Sequence, residues 1–142
     1  MKLFLLLGTN LGDREANIRK AMKLLEEALG KAEAASQIVE TEAIGFDGPA
    51  FLNCVARWEC RRRPETVLGI CKRTERAMGR DETPEYRPDG SRVYHSRVID
   101  IDILVYGGRR MDTPQLTIPH PQVEGRPFVK PLLEQAGFTS GR

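Results

Sequence analysis

Apolar residues along the chain fall into runs of two kinds, and the two kinds alternate from the first residues onward. Residues 3–7 form a continuous apolar run that stops at Gly8, which predicts a strand covered on both of its faces. Apolar residues then recur at intervals of three and four, as expected for one face of a helix that ends at Gly30. Asp13 or Asn10, in the intervening turn, is placed to cap that helix.

The next segments predict two strands in succession. Residues 36–44 alternate loosely between polar and apolar positions, and residues 51–60 alternate clearly. Because successive side chains of a strand point to opposite faces, Phe51 and Asn53 are expected to point away from the apolar face of the second strand.

A second helix and a long loop follow these strands. Pro64 suits the first position of a helix, and apolar residues at helical spacing continue to Gly79. Residues 80–96 are polar and contain two prolines and a glycine, which predicts a mobile loop.

Residues 97–106 predict a further strand, closed by a pair of glycines. Asp100 and Asp102 share one face of it. Carboxylates within a strand are costly unless positive charge meets them, and Mg²⁺ is usually held by one or two carboxylates together with substrate phosphates. The strand alone leaves two interpretations open: a magnesium site, or an edge strand whose aspartates are merely solvated, the commoner case for so short a motif. The residues assigned to the other face are Ile99, Ile101, Ile103 and Val105.

The order of these elements is β-α-β-β-α-β, the pattern of a ferredoxin-like α+β sandwich. Both helices are then expected on one face of an antiparallel sheet, and the face that carries the two aspartates and Phe51 is expected to be free. Beyond this unit we expect a hairpin at residues 107–110 and a short helix at residues 131–136. The chain of 142 residues is expected to form one domain, 1–142.

Composition narrows the function classes. The formal net charge of +2 is too small to argue for a nucleic-acid partner. The three cysteines include no C-x-x-C pair and are expected to be buried thiols of a reducing compartment. No apolar run approaches the ~20 residues of a membrane span, and the N-terminal run is too short for a secretion signal. We therefore expect a cytoplasmic protein that is not associated with a membrane. Separately, we expect it to be a monomer.

Four parts of the chain resemble one family, the 6-hydroxymethyl-7,8-dihydropterin pyrophosphokinases of folate biosynthesis. They are residues 7–13 (LGTNLGD), residues 51–53 (FLN), residues 96–102 (SRVIDID), and residues 117–121 (TIPHP) with 126–128 (RPF). The resemblance implies the ferredoxin-like fold, with ATP and the pterin as small-molecule substrates. It also implies transfer of a pyrophosphoryl group from ATP to the pterin hydroxymethyl oxygen, which leaves AMP.

The resemblance also implies roles for individual residues. Asp100 and Asp102 match the catalytic ligands of two Mg²⁺ ions, which neutralise the charge of the ATP phosphates. Arg80 and Arg97 match catalytic arginines that also bind ATP, a task that suits a planar group able to donate two hydrogen bonds to one phosphate. The other positions that match ATP contacts are Glu75, Ile103, Thr117, His120 and Arg126.

The pterin pocket is implied in the same way. Phe51 and Phe128 match two rings that sandwich the flat heterocycle, and Asn53 matches the amide that offers a donor and an acceptor to its edge. The complete set of matched pterin positions is Thr41, Ile44, Gly45, Phe51, Asn53, Asp100 and Phe128.

The chain departs from the family pattern at three places. Residues 94–97 read Tyr-His-Ser-Arg where most members have Trp-Gly-Pro-Arg, so that Tyr94 is the candidate aromatic lid. The loop 81–96 is longer than usual, and Gln115 stands where an arginine is frequent. Two alternatives share the fold: a polymerase- or cyclase-type palm, and a regulatory module that binds a small molecule without catalysis.

Overall fold

The structure of the protein is a computed structural model that describes residues 1–43, 48–79, 86–90 and 98–139. Within these ranges it is an α+β fold with an antiparallel sheet, as predicted. The elements in chain order are β1 (Lys2–Thr9), α1 (Arg14–Leu29), β2 (Ala34–Ala35), β3 (Val39–Thr41), β4 (Phe51–Glu59), α2 (Pro64–Ala77), β5 (Asp100–Tyr106), β6 (Met111–Asp112), β7 (Thr117–Ile118), α3 (Gln122–Gly125) and α4 (Val129–Gln135).

The strand β1 lies inside the sheet, between β4 and β5, and pairs antiparallel with both. Residues 3–9 are all buried, which confirms that this strand is covered on both faces. The strands β2 and β3 both pair with β4 on its other edge.

The helices α1 and α2 pack on one face of the sheet, over a core that includes Leu5, Leu25 and Ile70. Asp13 caps α1, because its carboxylate accepts the backbone N–H of Ala16 at 3.1 Å. Both predicted helices are confirmed, and the second begins at Pro64 as its sequence indicates.

The outer edge of the sheet differs from the prediction. Three residues of this edge, 36–38, lie opposite two residues of β4, 54–55. The hydroxyl of Ser36 accepts the backbone N–H of Val55 at 2.9 Å, where a backbone carbonyl would bind in a regular ladder. The prediction of one continuous strand over 36–44 is therefore wrong, since a β-bulge divides the edge into β2 and β3.

A second irregularity changes which face one side chain of β5 occupies. Phe4 pairs with Val105 and Leu5 with Ile103, so that Leu104 is an extra residue in this strand. Leu104 and Val105 both join the core on the face away from α1 and α2. The prediction that Val105 shares the face of Ile103 is wrong, because strict alternation does not survive a bulge. The prediction is confirmed for Ile99, Ile101 and Ile103.

The other face of the sheet is only partly open. The helix α4 covers it and forms a second core with Phe4, Leu6 and Val55 of the sheet. The expectation of a free face is confirmed for the part that carries Asp100, Asp102 and Phe51, which lines a pocket, and is wrong for the part under α4. The helix itself was predicted, at 131–136, and it begins two residues earlier because a proline is tolerated in a first helical turn.

The predicted hairpin lies further along the chain than residues 107–110. Those residues form a turn, in which the backbone N–H of Arg109 donates to the carbonyl of Tyr106. The paired strands are β6 and β7, and Thr113 closes the connection between them through hydrogen bonds with Leu116.

The three cysteines are free and buried, as predicted. Burial raises the pKa of the Cys54 and Cys71 thiols above the usual range, so both stay protonated at neutral pH. In the described parts of the chain, no helix combines the length and apolar character needed to cross a membrane.

Candidate functional site

The uncovered end of the second sheet face carries both aspartates of β5. Asp100 pairs with Gly8 of β1, and Asp102 pairs with Leu6. The two carboxylates are half-buried and open into one pocket of about 330 Å³, mouth included. Its lining consists of Leu6, Gly8, Phe51, Asn53, Asp100, Asp102, Gln122 and Arg126.

The donor set of this pocket fits Mg²⁺ better than Zn²⁺. Asp100 and Asp102 offer only oxygen, and among the described residues no group of three or more His, Cys, Asp or Glu side chains is placed to hold a metal. A protein site with two carboxylates needs further oxygen ligands from water or phosphate, which is the usual state of protein-bound Mg²⁺. Structural zinc sites instead supply four protein ligands, mostly sulfur and nitrogen.

The end of the pocket away from the aspartates carries the side-chain amide of Asn53, which belongs to β4 and contacts β3. The side-chain N–H of Asn53 donates to the hydroxyl of Thr41 at 2.8 Å, and both residues were predicted pterin contacts. The amide oxygen of Asn53 is directed at Gly8, where an added Cβ atom would lie 3.2 Å from it. Phe51 lines the same pocket.

Gly8 is a site residue that sequence reasoning missed. It belongs to β1 rather than to the turn to which the sequence assigned it. In the sheet it lies between Asn53 and Asp100, so its missing side chain leaves the floor of the pocket open. A glycine inside an otherwise apolar strand was the available signal.

The turn after β1 has a structural role in this fold. The side chain of Asn10 is buried and donates to the carbonyl of Pro49 at 3.0 Å. Asn17 of α1 donates to the Thr9 hydroxyl and to the Leu11 carbonyl. The bond from Asn10 holds the start of β4, and with it Phe51, close to the end of β1, and the bonds from Asn17 tie the turn to α1.

Gln122, the first residue of α3, was not predicted and lies beside the aspartates. Its amide N–H donates to Oδ2 of Asp102 at 2.9 Å, and its amide oxygen accepts Nη1 of Arg126 at 3.2 Å. Nothing local in the sequence signals this contact, since Gln122 and Asp102 are separated by 20 positions.

His120 is held immediately before this helix. Its Nδ1 accepts the backbone N–H of Gln122 at 3.1 Å, which places the proton of the neutral ring on Nε2. Burial lowers the pKa of His120, and the carboxylate of Asp100 acts against that shift. The ring borders a separate groove with Arg109 and Arg110 rather than the aspartate pocket.

Two predicted ATP contacts are buried on the helix side of the sheet. Glu75 of α2 is fully buried and accepts the backbone N–H of Ile101 at 2.8 Å. Ile103 belongs to the core under α1 and α2. Thr117 lies in β7 and is half-buried.

Phe128 is held by Arg126 instead of lining the pocket. The Arg126 guanidinium carbon lies 4.7 Å from the centre of the Phe128 ring, a cation–π contact. The ring also packs against the core under α4. Four predicted site residues lie outside the described residues, as does Tyr94: Ile44, Gly45, Arg80 and Arg97.

An antiparallel α+β domain with two carboxylates, an amide and an arginine around one pocket has side chains suited to an enzyme that transfers a phosphate group. The sequence model of one family, described as 7,8-dihydro-6-hydroxymethylpterin-pyrophosphokinase, matches residues 4–136. The chain belongs to this family.

Of three similar proteins, two are named as pyrophosphokinases and one as a folate synthesis protein. A 2-amino-4-hydroxy-6-hydroxymethyldihydropteridine pyrophosphokinase of Porphyromonas gingivalis is 38% identical over 137 residues, covering 94% of this chain and 90% of the relative. The protein of that name from Aquifex aeolicus is 40% identical over 134 residues, covering 93% and 78%. A folate synthesis bifunctional protein of Arabidopsis thaliana is 35% identical over 133 residues, covering 92% of this chain but 26% of the relative.

Proposed function

We propose that the pocket between Asp100 and Asn53 is where this chain carries out the reaction of its family. That reaction transfers pyrophosphate from ATP to 6-hydroxymethyl-7,8-dihydropterin and yields AMP and the pterin diphosphate, a step of folate biosynthesis. One observation supports this location above others: carboxylates suited to metal-bound phosphates and an amide suited to a heterocycle edge line the same pocket.

Asp100 and Asp102 are the proposed ligands of two Mg²⁺ ions. When bound, these ions would neutralise the charge of the ATP phosphates. Both carboxylates line the pocket. Arg126 lines the same pocket and is placed to donate to a phosphate oxygen.

Asn53 and Phe51 are the proposed pterin-binding residues. The amide of Asn53 can present hydrogen-bonding groups to the edge of the ring system, and the Phe51 ring can stack on its face. Thr41 orients the amide, because its hydroxyl accepts one of the two amide N–H groups. The remaining proposed pterin contacts are Ile44, Gly45, Asp100 and Phe128.

The nucleotide contacts of the wider site are also proposals. The neutral His120 ring can donate from Nε2, and Arg80 and Arg97 would clamp the phosphates during transfer. The proposed adenosine contacts are Glu75, Ile103 and Thr117. Thr117 is half-buried, whereas Glu75 and Ile103 are buried on the helix side of the sheet and would have to become accessible when the nucleotide binds.

The proposal also covers the topology of the fold, the number of domains and the oligomeric state. If β2 and β3 are counted as one interrupted strand, the order β2/β3–β4–β1–β5 supports a ferredoxin-like sandwich in which residues 1–142 form a single domain. We also propose that this domain acts as a monomer.

A chromatographic assay of AMP formation tests the proposal. The protein is incubated with Mg-ATP, with and without 6-hydroxymethyl-7,8-dihydropterin. We expect AMP and the pterin diphosphate in equal amounts, and only when the pterin is present. Release of inorganic pyrophosphate from ATP without pterin would favour the cyclase- or polymerase-type alternative, and pterin binding without turnover would favour the regulatory module.

Asp100→Ala is the decisive variant for the metal assignment. We expect it to lower kcat on the order of 10²–10³-fold or more, because a group that stabilises transition-state charge is lost. The exposed Asp112 of β6 supplies a matched control, and Asp112→Ala should retain the wild-type rate. Equal rates for the wild type and a folded Asp100→Ala protein, checked by circular dichroism, would overturn the assignment.

A further inference from the structure

We propose that Gln122 is a positioning residue that holds the Asp102 carboxylate and the Arg126 guanidinium in a fixed relation. This inference rests on the proposed function of the pocket. The inference is based on a continuous series of hydrogen bonds, in which Gln122 donates to Asp102 at 2.9 Å and accepts from Arg126 at 3.2 Å. The proposed metal end and the proposed phosphate contact are therefore joined through one side chain.

The chemistry of the two partners determines the orientation of the amide. An ionised carboxylate only accepts hydrogen bonds, and a guanidinium only donates them. The amide nitrogen of Gln122 must therefore face Asp102 and its oxygen must face Arg126. A glutamine satisfies both partners without adding charge, whereas an aliphatic side chain of equal length satisfies neither.

The amide also keeps the two opposite charges apart. In direct contact, Asp102 and Arg126 would form an ion pair and occupy the groups that a metal ion and a phosphate need. Gln122 lies between them and bonds to Oδ2 of Asp102 on one side and to Nη1 of Arg126 on the other. The ring of Phe128 supports the guanidinium from a second direction, at 4.7 Å.

The backbone of Gln122 anchors the side chain to the rest of the site. Its N–H donates to Nδ1 of His120 at 3.1 Å, and the backbone N–H of His120 donates to the Leu104 carbonyl of β5 at 2.8 Å. The start of α3 is thereby tied to the strand that carries Asp102. Substitution of the Gln122 side chain removes the amide bridge and leaves these backbone bonds in place.

Two variants of Gln122 test this role together with a matched control. Gln122→Met keeps the volume and removes the hydrogen bonds, and Gln122→Ala removes both. Gln37→Ala, an exposed glutamine on the edge of the sheet, serves as the control. Mg²⁺ binding is measured by calorimetry in the presence of α,β-methylene-ATP, and the unliganded proteins are compared by thermal unfolding.

We expect both Gln122 variants to bind Mg²⁺ about 10–100-fold more weakly, the usual effect of losing a partner that orients a metal ligand. We also expect KM for ATP to rise in both, through the loss of Arg126 orientation. Thermal unfolding of the unliganded Gln122→Met protein should match that of the control.

The possible outcomes separate this inference from the proposed function. Wild-type Mg²⁺ affinity and KM in Gln122→Met would overturn the positioning role, as would a defect found in Gln122→Ala alone, which would indicate packing. Failure of the wild-type protein to bind Mg²⁺ with the ATP analogue, or to release AMP with pterin, would instead overturn the proposed function.

Discussion

At the scale of single residues, the pocket depends on a side chain that is absent. Gly8 does not have a positive φ angle, so the backbone of β1 does not require glycine there. Glycine inside a strand costs about 0.5–1 kcal/mol relative to alanine. The benefit that offsets this cost is the open floor between Asn53 and Asp100.

Gly8→Ala should therefore harm binding more than folding. The added methyl group would lie 3.2 Å from Oδ1 of Asn53, which displaces the amide proposed to bind the pterin. We expect KM for the pterin to rise about tenfold, the effect of ~1.4 kcal/mol, with a change of less than ~1 kcal/mol in the free energy of unfolding.

Gly69→Ala in α2 is the control for this prediction. A Cβ atom there meets only a side-chain atom of Arg73, at 4.0 Å. It should stabilise the helix by up to ~1 kcal/mol and leave KM unchanged. Steady-state kinetics and urea unfolding measure both quantities, and unchanged pterin KM in Gly8→Ala would show that the ligand does not lie over this floor.

At the scale of elements, the segment between β1 and α1 performs two separable tasks. Asp13 caps α1, and the buried side chain of Asn10 binds the Pro49 carbonyl just before β4. The first contact stabilises a helix, whereas the second fixes the position of Phe51 at the pocket.

Substitution at these two positions should distinguish the tasks. Asp13→Ala should lower the free energy of unfolding by about 1 kcal/mol, the usual cost of a lost helix cap, without changing KM for either substrate. Asn10→Ala should lower stability by a similar ~1–3 kcal/mol and also raise KM for the pterin. Urea titration and initial-rate kinetics provide the comparison, and a pterin KM that is equal in the two variants would contradict it.

At the scale of the whole molecule, one sheet supports two cores. The core under α1 and α2 lies on one face, and the core under α4 lies on the other. The strand β1 contributes to both, through Leu5 on one side and Leu6 on the other. Because the cores share this strand, we expect them to unfold together.

Leu132→Ala tests that expectation. The side chain is 1% exposed in the second core, and its truncation should lower the free energy of unfolding by about 2–5 kcal/mol. A single cooperative transition, monitored by Trp58 fluorescence in the first core and by far-UV circular dichroism, should shift to lower urea concentration. Two separated transitions would show that the second core unfolds independently and that residues 1–142 do not behave as one domain.

Local periodicity predicted the elements whose environment is uniform along their length. The strand β1, the helix α2 and the shared face of Asp100 and Asp102 follow from patterns of adjacent residues. The β-bulges in β5 and at the sheet edge did not, because an extra residue is accommodated by partners that are distant in sequence. The bulge in β5 is the reason why Val105 lies on the sheet face opposite to the predicted one.

The amino-acid sequence by itself determined the α+β class, the two main helices, the carboxylate pair and, through the motifs it shares with its relatives, the family. These features depend on contacts between neighbours in the chain or on residue identities alone. Tertiary structure alone decided that α4 covers part of the second face, that Gly8 forms the pocket floor and that Gln122 bridges Asp102 and Arg126. Those features require segments that are far apart in sequence to pack together, and such contacts leave no periodic signal in either segment.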